Sequence, residues 1–153
     1  MAKAPLVSII VPVYNAEEYL RASLSCVTDQ QYKKTEIIVA DAGSSDGSED
    51  IIKEFAEKNP RIVYKRLESG SLEKARNMAL DTARGDYVCF VNADDLCSDI
   101  FISRQISQIE PADVCVCKRV HWDQKKDKST VDGWSGFYDT RDKFGRNISA
   151  YEK

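Results

Sequence analysis

Two adjacent carboxylates, Asp94 and Asp95, follow the apolar run Tyr87-Val88-Cys89-Phe90-Val91, reached through Asn92-Ala93. Neighbouring carboxylates repel unless something cationic joins them. A Mg²⁺ or Mn²⁺ shared with phosphate oxygens does this, because both are hard ions that take oxygen ligands. A carboxylate just ahead of a helix has a second use, as a cap on the free N–H groups of the first turn. The segment alone does not separate the two. Asp41-Ala42-Gly43-Ser44-Ser45-Asp46-Gly47-Ser48 is the other dense cluster of polar turn formers. Taken by itself it is a strand-to-helix turn. It holds no G-x-G-x-x-G fingerprint and no G-x-x-x-x-G-K-[ST] phosphate loop. Arg76 could pair with a diphosphate or stand solvated on a helix. Tyr14 could stack on a base or pack against the helix that follows it.

These residues need a scaffold, and the pattern around them supplies one. Leu6 to Val11 is nearly continuous and β-branched, which suits a parallel strand buried on both sides. Pro12, lacking an N–H, is expected to end that ladder. Asn15 is expected to cap a helix with Glu18 completing a capping box, and Leu20, Leu24 and Val27 follow at helical spacing. Ile37 to Ala40 predicts a second strand, followed by a helix from near Asp46 with Ile51, Ile52 and Phe55 inward. Ile62 to Tyr64 is a short third strand. Ser71 caps a third helix bearing Leu72, Ala75, Ala79 and Ala83, with Gly85 as its left-handed terminator. After the fourth strand, Ile102, Ile106 and Ile109 mark a helix that ends before Pro111. Alternating strands and helices of this kind give a mostly parallel sheet with helices on both faces. In such sheets ligands sit outside the carboxyl ends of the strands, and both acidic segments fall there.

Beyond Pro111 the pattern changes. Val114 to Val120 predicts a strand, Lys125 to Lys128 a hairpin turn, and Ser129 to Val131 a return strand. Gly133 to Gly136 is expected to be a loop, and Asp139 to Ala150 a weak helix. We expect a single domain over 1–153, with an α/β portion over about 1–111 and a hairpin and tail over about 112–153.

Bulk properties exclude several functions. A net charge of -3 over 153 residues leaves no electrostatic footprint for nucleic acid. No apolar run approaches the ~20 residues that span a bilayer, and no signal peptide is expected, so the cytoplasm is the expected location. The five cysteines cannot all pair internally, and with a single His the pair Cys115 and Cys117 argues against zinc and for buried thiols.

The segments VSIIVPVYNAEEYL, EIIVADAGSSDGSEDII, ESGSLEKARNMAL and GDYVCFVNADDL together resemble, in order and spacing, the family 2 glycosyltransferases of the GT-A fold. The resemblance runs from about Pro5 to Ile109. It implies a sugar-nucleotide donor, often a UDP-sugar, and inverting, metal-assisted transfer to a carbohydrate or lipid-linked acceptor hydroxyl. By position, Pro12, Tyr14 and the Asp41 turn with Gly43 would border the nucleoside. Gly70 to Asn77, including Arg76, would lie along the donor. Asn92, Ala93 and Asp94 would fill the family's D-x-D slot, with Asp94 and Asp95 at the metal. Polysaccharide assembly, free in the cytoplasm or at the membrane periphery, is the setting the family suggests.

The sequence departs from the family pattern at three points. Ala42 stands where a second acid is usual, and Asn92 where the first acid of D-x-D-D is usual. The general base, a later acid on the acceptor side, has no matching motif among Asp123, Asp132, Asp139, Asp142 and Glu152. Two functions therefore compete: a glycosyltransferase, and a non-catalytic module that binds a nucleotide or nucleotide-sugar. Truncation on the acceptor side would expose apolar surface, and a homodimer is the expected consequence.

Overall fold

The computed structural model describes residues 4–109, 114–117, 119–123, 128–132 and 136–138. The chain divides into two compact units, residues 1–102 and 103–153. The first opens as β1 (Val7–Val13), α1 (Glu17–Thr28), β2 (Thr35–Asp41) and α2 (Ser48–Lys58). It continues as β3 (Ile62–Arg66), α3 (Leu72–Thr82) and β4 (Tyr87–Phe90), and α4 (Phe101–Gln108) begins at its end. The strands form one parallel sheet in the order β3-β2-β1-β4.

The central strands β1 and β2 are buried along their whole length, as their continuous apolar runs predict. Ile10, Ile38, Ala40 and Ala42 pack on one face against Ala75 and Ala79 of α3, whose small side chains allow close approach. Ile9, Val11, Ile37 and Val39 alternate to the other face and are equally buried. The inward stripe of α1 (Leu20, Leu24, Val27) is buried as predicted, and in α2 Ile51 and Ile52 are buried while Phe55, expected inward with them, is only half-buried. Each fully buried side chain of this size contributes about 1.5–3 kcal/mol.

Two expectations about breakers fail for steric and directional reasons. Pro12 does not end β1, which pairs on through Pro12↔Ala40 and Val13↔Asp41. Along a parallel strand alternate residues bond to opposite neighbours. The Ile10 carbonyl accepts from Val91 N (3.0 Å) on the β4 side and the Val13 carbonyl from Ala42 N (2.8 Å) on the β2 side. Pro12 therefore faces the β4 side, where pairing has already stopped at Ile10↔Phe90. Its missing N–H costs no ladder bond.

Gly85 is not a left-handed terminator, because α3 ends at Ala83 in extended conformation. Its role is close approach: a Cβ there would lie 2.6 Å from both Ser8 N and Ser8 Oγ. Gly85 N donates to Ser8 Oγ (2.8 Å), which itself donates to Glu36 Oε1 (2.6 Å). Arg84 adds its backbone N–H (2.6 Å to Oε1) and its guanidinium (3.0 Å to Oε2). Burial raises the Glu36 pKa, but these donors outweigh it and hold the carboxyl below its ordinary value.

In the second unit, β5 (Val114–Val116) pairs antiparallel with β8 (Gly136–Tyr138), and β6 (Arg119–Asp123) with β7 (Lys128–Asp132). The hairpin is as expected, with Val120 opposite Val131. The run from Val114 to Val120 is not one strand, and Gly136 opens β8 instead of closing a loop. Cys115 is half-buried, and Cys117 lies beyond β5 and is exposed. The two thiols are thus not the buried pair expected from the sequence. The stretch Asp139 to Ala150 falls outside the described residues.

Candidate functional site

The carboxyl ends of β1, β2 and β4, with the N-terminal part of α3, carry the predicted site residues. The β1–α1 and β2–α2 loops are built as one piece. Asn15 takes a left-handed conformation (φ 48°) and does not cap α1. Its amide oxygen accepts instead from Ser45 N (2.8 Å), and its own N–H donates to Ser44 Oγ (3.0 Å). The free N–H groups at the start of α1 are capped from the other loop: Ala16 N by Ser48 Oγ (3.0 Å) and Glu17 N by Asp46 Oδ2 (3.0 Å). Glu17 returns the favour to Gly47 N (2.9 Å), and Asp46 Oδ1 accepts from Ser48 N (3.0 Å). Burial raises the Asp46 pKa, but these bonds prevail and lower it. Tyr14, just after β1, is 53% exposed.

Asp41 lies at the end of β2 with no solvent exposure. Its Oδ1 accepts from Gly43 N (3.1 Å), Ser44 N (2.8 Å) and Ser44 Oγ (2.6 Å). Its Oδ2 is paired with the Arg66 guanidinium and accepts from the Tyr64 hydroxyl (3.4 Å). Arg66 also reaches Glu49 (3.0 Å) and the Ser44 carbonyl (2.9 Å). Its pKa is raised, first by the hydrogen bond with Tyr64 and further by the charges of Asp41 and Glu49 against the effect of burial. The sequence reading missed Arg66. The available signal was register, since Asp41 and Arg66 end their strands directly opposite one another. Gly43 holds the turn open at φ 93°, where a Cβ would come within 3.0 Å of the Glu68 carbonyl.

The end of β4 is arranged differently. Asn92 donates its amide to Asp95 Oδ2 (2.7 Å) and receives a long contact from the Arg76 guanidinium (3.4 Å). The Ser23 hydroxyl of α1 holds the Asn92 carbonyl (3.0 Å), and Asp95 N closes a turn on the same atom (3.1 Å). Arg76, half-buried, is thus brought to the acidic segment. Asp94 is exposed, and its charge is felt at Tyr19, whose pKa is raised, first by a hydrogen bond with Glu18 and least by Asp94. α4 starts only at Phe101, so neither Asp94 nor Asp95 caps a helix. Pro12 is buried within β1, and Gly70 is exposed just ahead of α3.

The donor set fits a hard divalent ion shared with a ligand. Among the described residues no three His, Cys, Asp or Glu converge as a self-sufficient cage. An ion bound through one or two carboxylates and completed by phosphate oxygens and water needs no such cage. Asp94, and the Asp95 oxygen not engaged by Asn92, supply that number.

The parallel sheet β3-β2-β1-β4 with its intervening helices is of the GT-A type, as the solved structures below show. Residues 8–151 match the model of glycosyl transferase family 2, and the chain belongs to that family. It is 47% identical over 89 residues to the glycosyltransferase GlyA of Streptococcus pneumoniae, covering 58% of this chain and 13% of GlyA. It is 32% identical over 126 residues to the glycosyltransferase EpsJ of Bacillus subtilis, covering 82% of this chain and 37% of EpsJ. The chain thus spans well under half of these relatives. Among solved structures, S. aureus TarS 1-349 in complex with UDP-GlcNAc superposes with a TM-score of 0.62 at 30% identity, over 67% of this chain and 30% of that 1-349 chain. The mannosyltransferase PcManGT of Pyrobaculum calidifontis, in complex with GDP-Man and Mn²⁺, gives 0.66 at 28% identity, over 76% of this chain and 36% of that one. No helix among the described residues is long and apolar enough to cross a membrane.

Proposed function

We propose that this chain forms the donor-binding portion of a metal-assisted, inverting glycosyltransferase that moves a sugar from a nucleotide-sugar to an acceptor hydroxyl. The observation that carries this reading is the exposed Asp94 beside the Asn92–Asp95 pair, held at the strand ends next to Arg76. Asp94 and Asp95 hold Mg²⁺ or Mn²⁺, Arg76 approaches the diphosphate, and Tyr14 with the Asp41–Gly43 turn borders the nucleoside. Pro12 shapes the floor beneath Tyr14 from within the sheet, and Gly70 leaves room along the donor. The ion, when bound, offsets the charge that builds on the departing diphosphate. Asp41 is already saturated by Arg66 and its own turn, so it shapes the nucleoside edge without offering a free carboxylate.

A second reading, a nucleotide-binding module without turnover, is favoured by one observation. Asp123 and Asp132, two of the late acids, are the ladder partners of Lys128 and Arg119 in β6 and β7, and neither lies in a motif that matches a general base. The test is calorimetry with UDP, GDP and their sugars, with and without Mn²⁺, combined with an assay of donor hydrolysis. Metal-dependent binding with donor turnover is the expected result for the enzyme. Binding without turnover supports the module, and no binding at all defeats both.

A further inference from the structure

Behind the acidic loop, α1 and the residues that follow it grip the chain from Asn92 to Ile102. The contacts form a line: Ser23 to the Asn92 carbonyl (3.0 Å), Gln30 Nε2 to the Ser98 carbonyl (2.7 Å), Gln30 Oε1 from Ile102 N (3.0 Å), and Gln31 N to the Asp99 carbonyl (2.7 Å). In the middle of this line sit two thiols. Cys26 Sγ and Cys97 Sγ are 3.4 Å apart. Cys97 N donates to Cys26 Sγ (3.3 Å), and Gln30 Nε2 approaches Cys97 Sγ (3.5 Å). Both cysteines are half-buried, so they are reachable by a small reagent. None of the proposed donor contacts uses them.

We infer that Cys26 and Cys97 form a thiol–disulfide exchange site, a covalent modification site that joins α1 to the loop bearing Asp94 and Asp95. The co-reactant is a low-molecular-weight disulfide of the glutathione class. Cys26 gives its proton to solvent and its sulfur attacks one sulfur of the reagent. A mixed disulfide forms and one reagent thiolate leaves. Cys97 then loses its proton and attacks Cys26 Sγ. The mixed bond breaks, the Cys26–Cys97 bond forms, and the second reagent thiolate leaves. The protein is oxidised by two electrons, the reagent is reduced to two thiols, and those thiolates take up the two protons. The sulfurs must close from 3.4 Å to the ~2.05 Å of a disulfide. The surrounding hydrogen bonds already hold the two backbones together, so the bond fixes an arrangement the fold has made.

The experiment uses the reduced full chain, incubated without denaturant with oxidised glutathione, alkylated and mapped by mass spectrometry. Cleavage before Asp94 and Asp95 separates Cys97 from Cys89. The expected product has lost two hydrogens and links the Cys26 and Cys97 peptides. Cys97→Ser stops at a stable glutathione adduct on Cys26. The oxidised protein melts about 5–10 °C higher than the reduced one, reversibly with dithiothreitol, because the bond closes a long loop of the unfolded chain. Full alkylation of both cysteines after oxidant overturns the assignment, as does linkage of Cys26 to any other cysteine. An oxidised protein that melts lower than the reduced one also overturns it. The wild-type map stands even where a serine variant does not fold, and no step depends on nucleotide binding.

Discussion

The loop after β2 and the loop after β4 are both acidic, and both leave the carboxyl end of a strand in the same parallel sheet. Their carboxylates serve opposite ends. Asp41 is fully buried and takes donors from its own turn, Arg66 and Tyr64. Asp94 is exposed and Asp95 is half-exposed, with one amide as its donor among the described residues. A carboxylate saturated by the fold shapes the site. A carboxylate left with free oxygens is available to the divalent ion proposed above.

That contrast can be broken by substitution. Asp41→Ala would remove the buried acceptor of Gly43 N, Ser44 N and Ser44 Oγ and leave Arg66 with Glu49 alone as counter-charge, and we expect a loss of about 2–4 kcal/mol in urea unfolding. If it proves mild, the β2 carboxylate is not structural and the comparison fails. Asp94→Ala should leave the urea midpoint almost unchanged and weaken Mn²⁺-dependent nucleoside diphosphate binding about 10–100-fold, the equivalent of about 1.4–2.8 kcal/mol. A large stability loss there would erase the distinction between the loops. Gly43→Ala tests the geometry of the β2 turn directly. At φ 93° with the Glu68 carbonyl 3.0 Å away, it should cost about 1–2 kcal/mol, read from the thermal midpoint.

The smallest effect concerns the far ends of the strands. The Glu36 carboxyl is held below its ordinary value of 4.5, so the folded state binds fewer protons than the unfolded one. Its contribution is complete above the unfolded value and is lost as pH falls through the folded one. Glu36→Gln should flatten the acid limb of the stability–pH profile below about pH 4.5 without altering nucleotide binding at neutral pH. An unchanged acid limb would remove Glu36 from this role.

The sheet was legible because its central strands carry nearly unbroken apolar runs and α1 and α2 carry apolar stripes. The acidic segment at β4 was legible because Asp94 and Asp95 follow such a run directly. What the sequence hid is long-range pairing. Local rules place Asn15 and Glu18 as a capping box, whereas α1 is capped by Ser48 and Asp46 some thirty residues away. Gly85 looks like a helix terminator until Ser8 is found against it. Pro12 looks like a stop until its side of the ladder is known to be already closed. Arg66 carries no motif and gains meaning only from standing opposite Asp41.

The exchanged caps between the β1–α1 and β2–α2 loops have a dynamic consequence. Neither helix start can fray without stripping donors or acceptors from the other, so both openings share one free energy. In native-state hydrogen exchange the amides of Ala16, Glu17, Ser45, Gly47 and Ser48 should protect as a single foldon. Tyr14 would then ride on a rigid platform rather than on a loose loop tip.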